Sequence, residues 1–292
     1  MMYQTDMENM RRYSDLMNGI KELNKKIRSE EMNNGRKQKR WMLQKRPSAP
    51  IENANRKGDD VNYFLDKKIA VYTCILGNYD NLLEPLFVPD NCDFFVITDQ
   101  KIAQDSKWNK IDPAKYLDFN HISSPIEMNR YFKMKPQVCF SEYNYSVYVD
   151  GNFQIYTDLT EHINKISTQY GIGVFAHAKR NCIYAEAAKC VELNKIDRQT
   201  KKKIITYMKQ NQMPEDYGLL YCGMIARNHK NETGIKIMDE WWEEFKKFPF
   251  RDQIILPYVL YRNKIKTQDL STLGPDYEQD YSIQRIPHVQ GG

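Results

Sequence analysis

Short, continuous apolar runs separated by helical stretches are what most constrain the fold of this chain. Residues 68–76 (Lys-Ile-Ala-Val-Tyr-Thr-Cys-Ile-Leu), 93–98, 147–150, 172–177 and 219–226 read as strands too apolar and too β-branched to leave one face in water. Between and after them, 126–141, 182–193, 198–211, 231–248 and 252–262 read as helices, the fourth with Trp241 and Trp242 on its apolar face. Strands buried on both faces and alternating with helices predict an α/β domain whose mixed, mostly parallel sheet is flanked by helices. The first strand is followed by neither G-x-G-x-x-G nor G-x-x-x-x-G-K-S/T, which disfavours the ordinary dinucleotide and P-loop sites.

One strand ends in an informative way. Tyr145-Ser-Val-Tyr-Val149 stops on Asp150-Gly151-Asn152, and apolar residues resume at Phe153. A carboxylate and an amide two residues apart at the carboxyl edge of a sheet can offer two oxygens to a hard divalent cation, and open α/β sheets bind ligands at that edge. The glycine between them permits close approach of backbone and phosphate. An Asp-Gly turn in an ordinary sheet is the competing reading.

The 292 residues, 41% hydrophobic and 28% charged, are enough for one large domain, and 20 Tyr with 12 Phe suit strands and aromatic-lined clefts. A net charge of +5 suits anionic substrates but is too small to argue for nucleic acid, and we expect no nucleic-acid partner. No apolar run reaches the roughly 20 residues of a membrane span. The opening Met1-Met-Tyr-Gln-Thr-Asp6 lacks a secretory core, and Cys74, Cys92, Cys139, Cys182, Cys190 and Cys222 show no C-x-x-C spacing. These features predict a cytoplasmic protein with reduced thiols.

Residues 1–58 read as an extension. Tyr13, Leu16, Ile20, Leu23 and Ile27 follow helical spacing, residues 36–46 are basic around Trp41, and Pro- and Asn-containing residues 47–58 form a linker. Residues 1–46 suit either self-association or contact with the inner face of an anionic membrane, or are simply a solvated tail. The globular domain is expected over 59–292.

Further clusters surround the strand end. Arg130 and Lys133 share a helix face and can neutralise a diphosphate, or face solvent. His177, Arg180 and Glu186 lie at a strand-to-helix junction, where side chains gather above a sheet. Asp252 and Gln253 open the last helix, as an N-cap or as partners for sugar hydroxyls. His288, after Ile286-Pro287, is a candidate third metal ligand.

Residues 67–264 resemble a glycosyltransferase-like family with a GT-A-type, Rossmann-like fold, found in plant cell-wall and bacterial surface-polysaccharide (capsule) synthesis. The matching pieces are Ala70 to Asp80, Arg130-Tyr-Phe-Lys133, Tyr148-Val-Asp-Gly-Asn152, His177 to Tyr184 with Glu186, and Arg251-Asp-Gln253, in the family's order. The resemblance implies a transferase moving a sugar from a nucleotide diphosphate sugar, a UDP-sugar, to a glycan hydroxyl. It implies a base- and ribose-facing role for Tyr72, Thr73, Leu76 and Asp99, with Arg130 and Lys133 on the phosphates. Asp150 and Asn152, with Gly151 between them, would hold Mn²⁺ or Mg²⁺. His177, Arg180, Glu186, Asp252 and Gln253 would shape the sugar and acceptor pocket. Asp252 or Glu186 would be the base if configuration inverts. Asn152 stands where the wider superfamily has a second Asp, which keeps a second reading open: a catalytically silent scaffold that binds a nucleotide sugar or glycan.

Overall fold

The chain divides into Met1–Gly58 and Asp59–Gly292. The computed structural model describes residues 68–288 apart from 117–121, 123 and 248–250. The expected helix and basic stretch of the extension lie outside the described residues.

Six strands form the main sheet. In chain order they are β1 (Ile69–Ile75), β2 (Cys92–Thr98), β3 (Asn109–Ile111), β4 (Tyr145–Val149), then, after the short strand β5 (Phe153–Ile155) of a second sheet, β6 (Ile172–Ala176) and β7 (Leu220–Asn228). Their spatial order is β3-β2-β1-β4-β7-β6. Pairing is parallel from β3 through β4, whereas β7 runs antiparallel to both β4 and β6, so five of the six strands share one direction. The mixed, mostly parallel sheet expected from the apolar runs is the one observed.

Every residue of β1 is buried. Alternate side chains feed two apolar layers: Ala70, Tyr72 and Cys74 join Phe132, Trp241 and Leu256 on one face, while Ile69 and Val71 join Phe94, Val147 and Phe153 on the other. This double burial is why the strand reads as an unbroken apolar run. The long helix α5 (Glu232–Lys247) turns Ile237, Met238, Trp241, Trp242 and Phe245 inward, the 3-4 spacing of one helix stripe.

Helix α1 (Pro125–Met134) begins where Ser124 accepts a hydrogen bond from the Glu127 amide and Pro125 fills the first position. It is shorter than the 126–141 expected. Pro136 forbids the residue before it from continuing the helix, and Lys135 leaves helical geometry at φ −122°, ψ 54°. The remaining helices are α2 (Thr160–Asn164), α3 (Ile183–Glu192), α4 (Arg198–Gln210) and α6 (Asp252–Arg262). The apolar residues that resume after Asp150-Gly151-Asn152 form β5, which leaves the main sheet and pairs antiparallel with β8 (Ile283–Arg285).

Two buried polar groups brace this frame. Arg227 on β7 donates to the Tyr72 hydroxyl and to the Lys133 carbonyl in the last turn of α1. His229 lies within hydrogen-bonding distance of the Phe140 carbonyl through Nδ1 (3.2 Å) and of the Ser146 hydroxyl through Nε2 (2.8 Å). Burial, reinforced by Arg227, pushes the His229 imidazole down to about 4. The unfolded chain, with an ordinary value near 6.5, therefore takes up this proton first, and stability is lost as pH falls from about 6.5 to about 4. The shift corresponds to ~3 kcal/mol across that window. Thermal unfolding should show this acid slope in the wild type and a flattened slope in His229→Asn, whatever that variant's melting temperature at pH 7.

Candidate active site

A cleft of ≈ 770 Å³ opens at the carboxyl ends of β1 and β4. These neighbours belong to chain crossovers that run in opposite directions across the sheet, β1 outward to β2 and β3, β4 toward β7 and β6, which is where open α/β sheets take ligands. Asp150 follows β4 directly, and its amide donates to the Gly223 carbonyl at 2.8 Å. A Cβ at Gly151 would come within 2.6 Å of the Ile75 side chain at the end of β1. The glycine is therefore required by packing between the two strands, before any approach of phosphate is considered.

The centre of the cleft is a buried charge cluster. Asp252, first residue of α6, receives Lys133 Nζ on Oδ2 at 2.6 Å and faces Arg130 Nε with Oδ1 at 3.2 Å. The Arg130 contact is a charge contact without hydrogen-bond alignment. Lys133 Nζ also reaches Asp150 Oδ1 at 3.4 Å, and the Tyr148 hydroxyl donates to the same oxygen at 2.9 Å. Burial alone would raise the Asp252 carboxyl, but Arg130 and Lys133 outweigh it and hold it well below the ordinary carboxylate range. Trp241 Nε1 donates to the Asp252 carbonyl at 3.0 Å, tying this residue to the apolar layer beneath.

A second wall comes from β6 and α3. Arg180 Nε donates to Glu186 Oε2 at 2.5 Å and Gln253 Nε2 to Glu186 Oε1 at 3.2 Å. His177 Nδ1 accepts from the Lys179 and Arg180 amides, both at 3.2 Å. Burial and the Arg180 charge lower the His177 value, so the ring is neutral at neutral pH. Nε2 lies 3.0 Å from the Arg180 guanidinium and 4.0 Å from Glu186 Oε2, so both ring nitrogens are turned toward donors of residues 179–180.

The third wall is brought in by β8. Asn152 Nδ2 donates to the Ile286 carbonyl and the Ile286 amide donates to the Asn152 carbonyl, both at 2.8 Å. This double bond seats His288 over the strand end. His288 Nδ1 lies 2.9 Å from Asp80 Oδ1, a geometry that places the ring proton on Nδ1 and leaves the Nε2 lone pair 3.5 Å from Asn152 Nδ2. A carboxylate behind an imidazole is the support that metal-ligating histidines usually carry. Asp150 Oδ2 has no hydrogen bond among the described residues, so one carboxylate oxygen, the Asn152 amide oxygen and an imidazole nitrogen make a donor set suited to Mn²⁺ or Mg²⁺. Among the described residues, no three His, Cys, Asp or Glu side chains cluster closely enough to hold a metal. A cation here has to rely on the Asn152 amide and on a substrate's phosphates.

Of the residues expected at the site, Leu76, Arg130, Lys133, Asp150, Gly151, Asn152, His177, Arg180, Glu186, Asp252, Gln253 and His288 all line this cleft. Tyr72, Thr73 and Asp99 do not. Tyr72 is wholly buried, its hydroxyl donating to the Phe132 carbonyl at 3.1 Å, and Thr73 is buried beside it. Both precede the end of β1, so their side chains are covered by α1 and the second apolar layer. Asp99 is exposed and accepts from the Gly77 amide at 3.0 Å, bracing the turn after β1 where Gly77 sits at φ +66°. Asp80, Lys195, Arg251 and Arg285, which also line the cleft, were not singled out as site residues from the sequence.

The model of the TOD1/MUCI70 glycosyltransferase-like domain matches residues 130–286. No curated protein matches the chain. Similar solved structures include the bifunctional glycosyltransferase WbbM, at 14% identity and TM-score 0.45, covering 68% of this chain but only 38% of that one. Mouse xyloside xylosyltransferase 1 is similar at 10% identity and TM-score 0.42, with 69% and 83% covered. The mannosyltransferase Ktr4p of S. cerevisiae in complex with GDP is similar at 12% identity and TM-score 0.37, with 74% and 71% covered.

Removing the Asp252 charge leaves half-buried Arg130 without its carboxylate and buried Lys133 with Asp150 alone. Asp252→Asn should lower stability by ~3–5 kcal/mol, whereas Gln253→Ala should cost less than ~1 kcal/mol. Urea unfolding of the two variants measures the contrast.

Proposed function

Because the chain belongs to the TOD1/MUCI70 glycosyltransferase-like domain family, we propose that it transfers a sugar from a nucleotide diphosphate sugar to a hydroxyl of a glycan. The donor is a UDP-sugar and the product a surface polysaccharide such as a capsule, assembled in the cytoplasm with residues 1–46 at the inner face of the membrane or in self-association. The observation that supports transfer most directly is the convergence of Asp150, Asn152 and His288 at the strand end beside the Lys133–Asp252–Arg130 cluster.

Asp150, Asn152 and His288 would hold the cation. When bound, Mn²⁺ or Mg²⁺ stabilises the negative charge that develops on the departing diphosphate. Asp80 fixes the His288 tautomer, and the Ile286–Asn152 bonds hold both residues in place. Lys133, between Asp252 and Asp150, sets the Asp150 carboxylate. The buried walls exclude water, so that the sugar meets the acceptor hydroxyl rather than solvent. Of the two carboxylates that could take the acceptor's proton, Asp252 is committed to two cations. Glu186, paired with one cation, Arg180, is the less committed and serves an inverting transfer, and a retaining transfer needs neither.

The second reading, a silent binding module, is favoured by the same commitment of Asp252 and by the amide at position 152. Nucleotide release decides between them. UDP-, GDP- and CDP-sugars are incubated with wild type and Asp150→Ala, with Mn²⁺ or EDTA and candidate glycan acceptors. Release from one donor, lost in EDTA and reduced at least about 100-fold in the variant, is expected; binding of UDP with no release from any donor would establish the silent module.

The carboxylate behind His288 has its own signature. Asp80→Asn should weaken Mn²⁺ binding about 10–100-fold in the presence of UDP. The paramagnetic resonance signal of unbound Mn²⁺ reports this without reference to turnover.

A further inference from the structure

The charges lining the cleft are unevenly compensated. Arg130 and Lys133 face Asp252, and Arg180 faces Glu186. Lys179 faces Glu278 at 3.3 Å and Lys189 faces Glu192 at 2.7 Å. Lys195, Arg251 and Arg285 line the same cleft, and among the described residues none of them has a carboxylate partner.

These three cations share one region. All three line one cleft, and desolvation, followed by the charges of Arg251 and Arg285, lowers the Lys195 ammonium. Arg251 is placed by α6, whose first residue follows it, and its Nε is buried with no hydrogen-bond partner among the described residues. An orphaned guanidinium N–H in a buried position is costly unless a ligand completes it. Beside Arg285, the Tyr221 and Tyr277 rings stack at 4.0 Å on the cleft wall, an apolar surface on which a sugar ring can rest.

Two of the three lie away from the expected diphosphate locus. Asp150, Asn152 and His288 mark one end of the cleft. Lys195 follows α3, and Arg251 precedes α6, whose Gln253 bonds Glu186, so both belong to the Glu186 side, where the sugar and acceptor are expected. Arg285 spans the two regions, since its charge is felt by Lys195 and it feels Asp150. Lys195 is exposed at the rim, where an incoming acceptor would enter.

We propose that Lys195, Arg251 and Arg285 form a subsite for a negatively charged acceptor, one that bears a carboxylate or a phosphate near the hydroxyl to be glycosylated. Both groups are planar or tetrahedral oxyanions that guanidinium N–H groups bind in pairs, the phosphate reaching two bonds further from the sugar ring than the carboxylate. The proposal rests on the glycosyl-transfer reading and narrows its acceptor class.

The test measures binding first. Glucose, glucuronic acid and glucose 6-phosphate are titrated calorimetrically into the full chain preloaded with UDP and Mn²⁺, with UDP titrated separately. At least one anionic sugar should bind about 10-fold or more tightly than glucose, since a charge-assisted contact carries about that much. Preference for glucuronic acid identifies a sugar acid and preference for glucose 6-phosphate a phosphate; either supports the subsite. Lys195→Gln and Arg251→Gln should abolish the preference while leaving UDP affinity within about 2-fold. Lys195 is on the surface, so its variant carries the test if Arg251→Gln does not fold. Equal binding of all three sugars overturns the proposal, as does a parallel loss of UDP affinity in Lys195→Gln, which would assign these cations to the donor diphosphate. Nucleotide release in the presence of each sugar is scored separately: anion preference without release from any donor would sink the transferase reading but not the subsite.

Discussion

The site is organised by one carboxylate under two opposing demands. Asp252 lies at the start of α6 with its backbone tied to Trp241 in the apolar layer and its side chain between Arg130 and Lys133 of α1. An ion pair buried this deeply is expensive to desolvate and contributes little net stability, but removing one member is costly. Its effect is therefore on geometry. It fixes α1 against α6, and Lys133 then carries that alignment to Asp150 at the end of β4. Arg227 on β7 and the Tyr72 hydroxyl hold the last turn of α1 from below, so the central strands and both flanking helices converge on one point.

Much of this frame was legible in the sequence because burial on both faces of a strand writes itself as an unbroken apolar run. Strands β1, β2, β4, β6 and β7 and helices α3 to α6 appear within a few residues of their expected bounds. Strands β3, β5 and β8 have three residues each, too few for any period to show. The overlong reading of α1 ignored Pro136, a signal that was present. Resemblance placed most of the cleft, and Tyr72 and Thr73 fall outside it for a shared reason. Tyr72 and Thr73 were assigned to a ligand because they lie near a strand end, yet the strand runs on to Ile75 and only residues about the strand end (Cys74 to Gly77) reach the opening.

The unpaired cations were illegible for a different reason. Lys195 stands in a charged loop after α3, Arg251 precedes α6 as a flanking residue, and Arg285 belongs to a three-residue strand. Nothing in their local sequence distinguishes them from Lys179 or Lys189. What sets them apart is the absence of a facing carboxylate among the described residues, a property of the folded cleft alone.

The clasp between Asn152 and Ile286 joins residues 134 positions apart. A contact of that span contributes nothing until nearly all the intervening chain has been arranged. A polypeptide made in order from its amino end can pair β1, β2 and β4 long before His288 exists to cover Asp150. The frame of the cleft is thus an early product of synthesis and its third wall a late one, so a nascent chain can be well folded and still unable to complete its site.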